Sequence, residues 1–298
     1  MSWICSVCGS TEVARRQRLH SRFRAFRERK LITCGCCSAK TVHPVPDADE
    51  LADINRTYWE STGTDGPEAR EGLLELAKHR VGYLMSHCGS LEGKRILDFG
   101  AGHAYPYDAI KLRGINLDYC AVDSDDRMRE ELAKKGVTPY ASLDEVAGQS
   151  FDLVILSHVV EHVESPVEFL KVASQCLSDD GTMFVEVPNQ DDVFKLDLGL
   201  HLAVYNPSAI SRLCESAGLE VNQISTAGVA IDELKPTFVV RCEHQLRYAN
   251  RLAYRIWRRA RKVISAGDTK IDMNTILSRD DNQGRWLRVL ARKQSFSA

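Results

Sequence analysis

The stretch RILDFGAGH, residues Arg95–His103, decides the fold. A short apolar strand runs into Asp98, and Gly100 and Gly102 follow at the start of a segment that is compatible with a helix up to Leu112. Glycine lets the backbone turn sharply and approach a ligand closely at the carboxyl end of a parallel strand. The stretch therefore predicts a strand–turn–helix unit that holds a cofactor.

A second acidic residue supports this prediction. Asp123 follows the next apolar strand, Tyr119–Val122, roughly twenty residues after the glycines, where an acidic side chain can accept hydrogen bonds from both ribose hydroxyls. A dinucleotide dehydrogenase would carry a third glycine at position 105, and this chain has Tyr105 there. The pattern thus favours a nucleoside cofactor other than a dinucleotide.

Strands and helices alternate along most of the chain. Further strands are predicted at Val137–Ala141, Phe151–Leu156, Thr182–Val187, Leu219–Thr226 and Gly284–Arg292, with Thr237–Arg241 as an alternative last strand. Helices are predicted at Pro67–Cys88, Arg127–Lys135, Pro166–Leu177 and Ser208–Ala217. Such alternation predicts an α/β fold with a Rossmann-like, doubly wound, mostly parallel seven-stranded sheet and an antiparallel terminal strand.

Composition limits the class of protein. The chain has 298 residues, of which 44% are apolar and 27% charged, as in soluble globular proteins. No run approaches the roughly 20 apolar residues that span a bilayer, which excludes a helical membrane protein. The start, MSWICSVCGS, lacks the pattern of an export signal. With ten cysteines, this favours a reducing cytoplasm and thiols that are free or metal-bound.

Two Cys-x-x-Cys motifs lie near the amino terminus. Cys5 and Cys8 form the first, and Cys34 and Cys37 the second. Four thiolates at this spacing can hold one zinc ion tetrahedrally. Cys36 could replace Cys34 or Cys37, but only the Cys34/Cys37 choice keeps the two-residue spacing. We expect a structural zinc ribbon, because four cysteine ligands leave no open position for chemistry.

Basic residues are concentrated in two segments, although the net charge is only −2. Arg15–Lys30 and Arg241–Lys262 each carry eight Lys or Arg residues. The segments suit an anionic partner or are solvated helix faces. Within the second, Gln245–Ile264 is predicted to form a basic amphipathic helix, which either packs on the catalytic domain or lies on the anionic inner face of the membrane.

The Asp98-x-Gly100-x-Gly102 turn resembles the first motif of class I S-adenosylmethionine-dependent methyltransferases. FDLVILSHVVEHV (residues 151–163), SDDGTMFVEVPN (178–189) and HLAVYNPSAISRLCESAGLEV (201–221) resemble that family's fourth strand, fifth strand and later loop and helix. The Cys-x-x-Cys pair and the linker with Pro44, Pro46, Tyr58 and Trp59 resemble bacterial members encoded with sugar and surface-polysaccharide biosynthesis.

The resemblance implies roles for individual residues. Asp98, Gly100 and Gly102 would hold the methionine end of S-adenosylmethionine, and Asp123 would bind the ribose. The remaining implied cofactor contacts are Ala141 and Ser142 near the adenine, and Ser157, with His158, beside the sulfonium.

The fourth strand ends in a polar cluster that the resemblance places at the transferable methyl. His158, Glu161 and His162 would begin the next helix, and His201 would face them from the loop after the fifth strand. A histidine here could act as a general base, the cluster could bind a divalent metal, or it could be purely structural. It resembles the Glu-x-x-Glu-His cluster of quinone-pathway and small-RNA-end O-methyltransferases, with His158 in place of the first glutamate.

The resemblance implies a cytoplasmic S-adenosylmethionine-dependent methyltransferase that O-methylates a small molecule, namely a sugar or glycan intermediate. The alternatives are an RNA-modifying methyltransferase, although few aromatic residues in the basic segments could stack on bases, and a non-catalytic cofactor-binding scaffold.

The predicted domains are a zinc ribbon (1–46), a helical linker (47–90), the S-adenosylmethionine-binding core (91–226), an insertion with the basic helix (227–283) and the terminal strand of the sheet (284–298).

Overall fold

The computed structural model describes residues 2–19, 21, 23–26, 28–53, 67–195, 197–234, 278–279 and 283–294. The predicted basic helix Gln245–Ile264 and the alternative last strand Thr237–Arg241 lie outside these residues. Among the described residues, no helix combines the length and the apolar character needed to cross a membrane.

A small antiparallel sheet forms at the amino terminus. It contains β1 (Val13–Arg18), β2 (Lys30–Cys34) and β3 (Lys40–His43), and a two-residue strand from much later in the chain, β9 (Ala203–Val204), pairs with β3. Ile32 packs into the main core together with Val160 and Tyr205, whereas Leu31 packs against Leu200. The amino-terminal sheet is therefore continuous with the rest of the molecule.

The central sheet has eight strands in the part of the chain that the structure describes. They are β4 (Arg95–Phe99), β5 (Asp118–Val122), β6 (Thr138–Tyr140), β7 (Phe151–Ser157), β8 (Leu177–Pro188), β10 (Leu219–Ala230), β11 (Ser278–Arg279) and β12 (Gly284–Lys293). Their order is β11-β10-β12-β8-β7-β4-β5-β6. Strands β4 to β8 are parallel, and β12 is antiparallel to β8 and β10. The predicted mostly parallel sheet and antiparallel terminal strand are confirmed, with β11 as an additional edge strand.

The described residues form seven α-helices, most of which cover the two faces of this sheet. They are α1 (residues 48–53), α2 (Pro67–Cys88), α3 (Tyr105–Lys111), α4 (Asp126–Lys135), α5 (Pro166–Gln175), α6 (Pro207–Ser216) and α7 (Ile231–Leu234). The helices predicted from sequence are found within two residues of their expected ends. The alternation of side chains along β7 explains the layers: Ile155 packs with α2 to α4, and Val154 packs with α5 and α6.

Candidate active site

A cavity of about 180 Å³ opens at the carboxyl ends of β4, β7 and β8. It is lined by Leu73, Leu76, Arg80, Asp98, Gly100, Ala101, Tyr105, Pro106, Ser157, His158, Glu186, Trp286 and Arg288. Ligands of open α/β sheets bind at this edge. Four residues predicted from sequence, Asp98, Gly100, Ser157 and His158, thus meet in one cleft.

The glycine turn adopts the backbone conformation that its sequence predicts. Gly100 has φ 60° and Gly102 has φ 51°, in the left-handed region that costs other residues free energy. A Cβ atom on Gly100 would also lie 3.0 Å from Cγ2 of Val159. Glycine is therefore required here both for the turn and for the close approach of the segment that follows β7.

Asp98 is a buried carboxyl group on the wall of the cavity. It is 3% exposed, and its Oδ2 accepts a hydrogen bond of 2.7 Å from the hydroxyl of Tyr119. Burial raises the pKa of Asp98 to about 7, although the Tyr119 hydrogen bond and the charge of Arg80 partly oppose this rise. A cationic group that entered the cavity would favour the ionised form.

Asp123 connects the glycine turn with the turn that follows β5. Its Oδ2 accepts a hydrogen bond of 2.9 Å from the backbone N–H of Gly102, and its Oδ1 accepts one of 2.9 Å from the N–H of Asp125. The carboxylate thus ties the glycine turn to the end of β5. Each oxygen keeps a second lone pair that a ribose hydroxyl could use.

Ala141 and Ser142 follow β6, one strand further along the sheet. The backbone N–H of Ala141 donates to Oε2 of Glu145 at 3.0 Å, and Ser142 precedes a 3₁₀ turn, Leu143–Val146. Their assignment to the adenine stays a prediction.

Three charged residues of the cavity, Arg80, Glu186 and Arg288, were not predicted from sequence as site residues. The Glu186 carboxylate on β8 is paired with Arg80 on α2, Nε to Oε1 at 3.0 Å, and with Arg288 on β12, Nε to Oε2 at 2.7 Å. Burial would raise the pKa of Glu186, but the two guanidinium groups hold it far below its usual range. Since arginine stays protonated, this trio carries a net charge of +1. The sequence contained a signal: each is flanked by apolar residues on its own helix or strand face, Leu76 and Leu84 for Arg80, Phe184 and Pro188 for Glu186, and Trp286 and Leu290 for Arg288.

The polar cluster after β7 has a different backbone from the one we expected. His158, Glu161 and His162 do not begin the next helix; Val160–His162 is a 3₁₀ turn, and α5 starts only at Pro166. The residue before a proline disfavours the helical region, which separates the two elements. His158 has φ 58°, a strained conformation that is concentrated at functional sites.

Glu161 is the centre of this cluster. Its side chain is 1% exposed, and Oε1 lies 3.2 Å from Nδ1 of His158 and 3.9 Å from Nε2 of His162. Burial would raise its pKa, but the His158 hydrogen bond and the neighbouring imidazoles lower it to about 2. Oε2 of Glu161 is buried and has no hydrogen-bond partner among the described residues. A buried carboxylate oxygen of this kind needs a ligand.

His162 and His201 face each other beside Glu161, with ring centroids 4.9 Å apart. Burial lowers the pKa of His162 to about 4, against the opposing charge of Glu161, so its ring is neutral at physiological pH. One ligand atom from each of Glu161, His162 and His201 lies within 4.8 Å of the other two. Imidazoles and a carboxylate are suitable ligands for a divalent metal. A general base works best with a pKa near the working pH, so the pKa of His162 near 4 makes it poorly suited to that role.

The four predicted zinc ligands also come together. Sγ of Cys5 lies 3.6 Å from Sγ of Cys37, and Sγ of Cys8 lies 3.6 Å from Sγ of Cys34. Tetrahedral zinc with Zn–S bonds of about 2.3 Å would separate its sulfurs by about 3.8 Å. Cys36 is exposed and lies outside the group. Burial raises the pKa of the Cys5 thiol to about 11, a cost that a bound cation would offset.

Comparison with known proteins decides the family. A family model described as a methyltransferase domain matches residues 69–224. The chain belongs to this methyltransferase family. The predicted S-adenosylmethionine-dependent methyltransferase is thus confirmed.

Two curated relatives of this methyltransferase are named ubiquinone biosynthesis O-methyltransferases. The chain is 22% identical over 229 residues to the enzyme of Azoarcus sp. (strain BH72). This alignment covers 68% of this chain and 93% of the relative. The chain is 25% identical over 223 residues to the enzyme of that name from Neisseria meningitidis serogroup C (strain 053442), which covers 65% of this chain and 90% of the relative.

Solved structures confirm the fold of this methyltransferase. Burkholderia thailandensis 1,6-didemethyltoxoflavin-N1-methyltransferase, with S-adenosylhomocysteine bound, matches at a TM-score of 0.54 and 16% identity, over 94% of this chain and all of that one. A putative methyltransferase in complex with the Haloferax volcanii Trm112 activator matches at a TM-score of 0.53 and 14% identity, over 80% of this chain and 96% of that one.

Proposed function

We propose that this methyltransferase transfers the methyl group of S-adenosylmethionine to a hydroxyl oxygen of an acceptor bound next to Glu161, His162 and His201. The observation that carries the proposal is the buried Oε2 of Glu161, which has no partner among the described residues and belongs to a set of potential metal ligands. The names of the curated relatives also support oxygen as the methylated atom.

The methionine end of the cofactor binds where the cavity offers opposite charges. Asp98 is the carboxylate for the α-ammonium group, and the net positive charge of Arg80, Glu186 and Arg288 attracts the α-carboxylate. Asp123 accepts hydrogen bonds from the ribose hydroxyls. The sulfonium then lies towards Ser157 and His158, at the end of β7.

Glu161, His162 and His201 hold a divalent cation, which lowers the pKa of an acceptor hydroxyl when it is bound. The acceptor oxygen forms a bond to the methyl carbon while the carbon–sulfur bond breaks, and neutral S-adenosylhomocysteine leaves. His158 receives the hydroxyl proton, because it lines the cavity, whereas His162 is not among the lining residues and has a lowered pKa. His158 is thus the proposed base, whereas His162 and His201 are proposed ligands of the cation.

The acceptor that we propose is a hydroxyl of a sugar or glycan intermediate. The support is the resemblance of the amino-terminal cysteine pairs and the proline-containing linker to methyltransferases of that pathway class. Neighbouring hydroxyls of a sugar ring suit a divalent cation, because hard and borderline cations bind pairs of oxygens.

The test is methyl transfer from S-adenosylmethionine with a radiolabelled methyl group to a panel of sugar nucleotides and small vicinal diols. We expect transfer to a hydroxyl that stops on chelation and returns with added Mn²⁺ or Co²⁺. The Glu161→Gln variant should lose this metal response while it keeps its affinity for S-adenosylhomocysteine. Transfer that is indifferent to both chelation and Glu161→Gln would refute the cation. Methylation only at nitrogen or carbon would refute the hydroxyl acceptor.

Zinc is the metal that we propose for Cys5, Cys8, Cys34 and Cys37, with a structural role. The geometry of the four sulfurs and the burial of Cys5, Cys34 and Cys37 support it. Metal analysis of the purified protein should find about one zinc ion per chain that resists the mild chelation used for the catalytic cation.

A further inference from the structure

Two adjacent carboxylates in the loop after β8 face in opposite directions. Oδ2 of Asp191 lies 2.6 Å from Nδ1 of His201 and 3.0 Å from Nζ of Lys195. Oδ2 of the next residue, Asp192, instead lies 2.6 Å from Nζ of Lys40, on β3 of the amino-terminal sheet. The turn formed by Asp191–Val193 therefore contacts the proposed acceptor site on one side and the amino-terminal sheet on the other.

The contact between Asp191 and His201 acts on one ring nitrogen through charge: Oδ2 and Nδ1 are 2.6 Å apart but do not form an aligned hydrogen bond. Asp191 is 1% exposed, and its pKa is lowered because the interactions with His201 and Lys195 outweigh burial. A buried carboxylate next to Nδ1 favours the tautomer with a proton on Nδ1, which leaves the Nε2 lone pair free. Its orientation thus determines which nitrogen of His201 can serve as a ligand or a proton acceptor.

The amino-terminal sheet holds the same loop through its backbone. The N–H of Val42 on β3 donates to the carbonyl of Leu202 at 2.9 Å, and the N–H of Leu202 donates to the carbonyl of Glu161 at 2.7 Å. A single residue, the neighbour of His201, is thus hydrogen-bonded to the amino-terminal sheet and to the 3₁₀ turn with Glu161 and His162. Leu31 and Val42 add apolar contacts with Leu198 and Leu200.

We infer that Asp191 is a positioning residue that sets the tautomer and orientation of His201, and that Lys40 keeps Asp191 in place through Asp192. The amino-terminal sheet with its cysteine cluster is then a wall of the acceptor site rather than a separate module. The use of His201 in chemistry rests on the proposed function. The orientation of its ring does not, because it depends only on contacts within the chain.

The nitrogen signals of His201 test the inference directly. The protein, labelled with ¹⁵N in its nine histidines, is measured without acceptor or added catalytic cation at a pH where imidazoles are neutral. Long-range ¹H–¹⁵N correlation spectra identify which nitrogen carries the proton, and His201→Gln assigns the signals. We expect the Nδ1–H pattern in the native protein and its loss in Asp191→Asn.

Lys40→Met should shift His201 towards the Nε2–H pattern or average the two, and Lys40→Arg should restore the native signals. The matched control is Lys94→Met, which removes a lysine that pairs with Asp152 at 3.2 Å at the opposite end of β4. His87, whose Nδ1 lies 2.8 Å from the carbonyl oxygen of Tyr83, reports that each variant is folded. Native His201 signals in Asp191→Asn, or identical effects of Lys40→Met and Lys94→Met, would overturn the inference.

The outcome is separable from that of the proposed function. If hydroxyl methylation or cation binding is not found but the His201 signals respond as expected, the inference stands and the proposed function fails. If methylation is found but His201 keeps its tautomer in Asp191→Asn, the inference fails alone.

Discussion

The two sides of the cleft are built in different ways. The cofactor side takes Asp98, Gly100, Gly102 and Asp123 from one continuous stretch, in which a backbone N–H of the first turn bonds the carboxylate that ends β5. The acceptor side assembles the 3₁₀ turn at Val160–His162, the loop that carries His201, and a strand of the amino-terminal sheet. Apart from the ion pairs of Arg80, Glu186 and Arg288, the cofactor side therefore folds with its own strands, whereas the acceptor side depends on segments far apart in sequence.

The strongest test of this difference is removal of the first cysteine pair. In the double variant Cys5→Ser/Cys8→Ser we expect loss of the zinc ion and protease sensitivity over the first ~45 residues, because metal binding supplies folding free energy. Methyl transfer should be lost with it, since the loop with His201 pairs with β3. Affinity for S-adenosylhomocysteine, measured by calorimetry, should stay close to native.

Cys36→Ser is the matched control, because Cys36 is exposed and lies outside the ligand group. It should keep zinc and activity. A double-serine variant that retains zinc would contradict the ligand assignment. Loss of cofactor affinity in step with methyl transfer would show that the two sides of the cleft are not independent.

A narrower change on the acceptor side is His162→Ala. We expect turnover to fall by roughly 10²-fold or more, because the variant removes a ligand of the proposed cation, and even the loss of a residue that orients such a ligand lowers activity by about 10–100-fold; cofactor affinity should stay native. Steady-state kinetics and calorimetry measure the two effects separately. Native turnover in both His162→Ala and His201→Ala would return the cluster to a purely structural role.

On the cofactor side, Asp123→Ala should weaken S-adenosylmethionine binding at least tenfold. It removes two hydrogen bonds to a charged acceptor, each contributing roughly 1.5–3 kcal/mol. Because Asp123 also holds the N–H groups of Gly102 and Asp125, Asp123→Asn serves as a control that keeps the shape and one acceptor oxygen. The zinc content and the His201 tautomer should stay native, and an unchanged dissociation constant would disprove the ribose assignment.

The difference between the cofactor side and the acceptor side also explains which features could be predicted from sequence. The glycine turn, Asp123 and the cysteine pairs are local patterns, and each is found where its spacing predicts. The candidates His158, Glu161, His162 and His201 were also recognised, but their roles could not be separated, because only the fold places His158, and not His162, on the wall of the cavity.

Other contacts join residues that no local sequence pattern pairs. The ion pairs of Glu186 with Arg80 and Arg288 join α2, β8 and β12, and the contact of Lys40 with Asp192 joins residues 152 positions apart. Sequence shows that each group is charged, but only the packing of the elements determines its partner. Pro166, in contrast, is a local signal: α5 begins there, as predicted, and Glu161 lies in the 3₁₀ turn that precedes it.

The smallest effect expected is a pH dependence confined to the cofactor side. Asp98 has a pKa raised to about 7 by burial, so it is mostly protonated at pH 6 and mostly ionised at pH 7.5. If the ionised form receives the α-ammonium group of the cofactor, binding must release a proton below about pH 7. Affinity then falls as the pH falls, by up to about tenfold per pH unit.

Calorimetry with S-adenosylhomocysteine in buffers of different ionisation enthalpy should detect this proton release at pH 6 and little at pH 7.5. Asp98→Asn should bind more weakly and lose the slope, which separates Asp98 from His158 in the same cavity. A slope that persists in Asp98→Asn would show that the titrating group is not Asp98 and would refute the assignment.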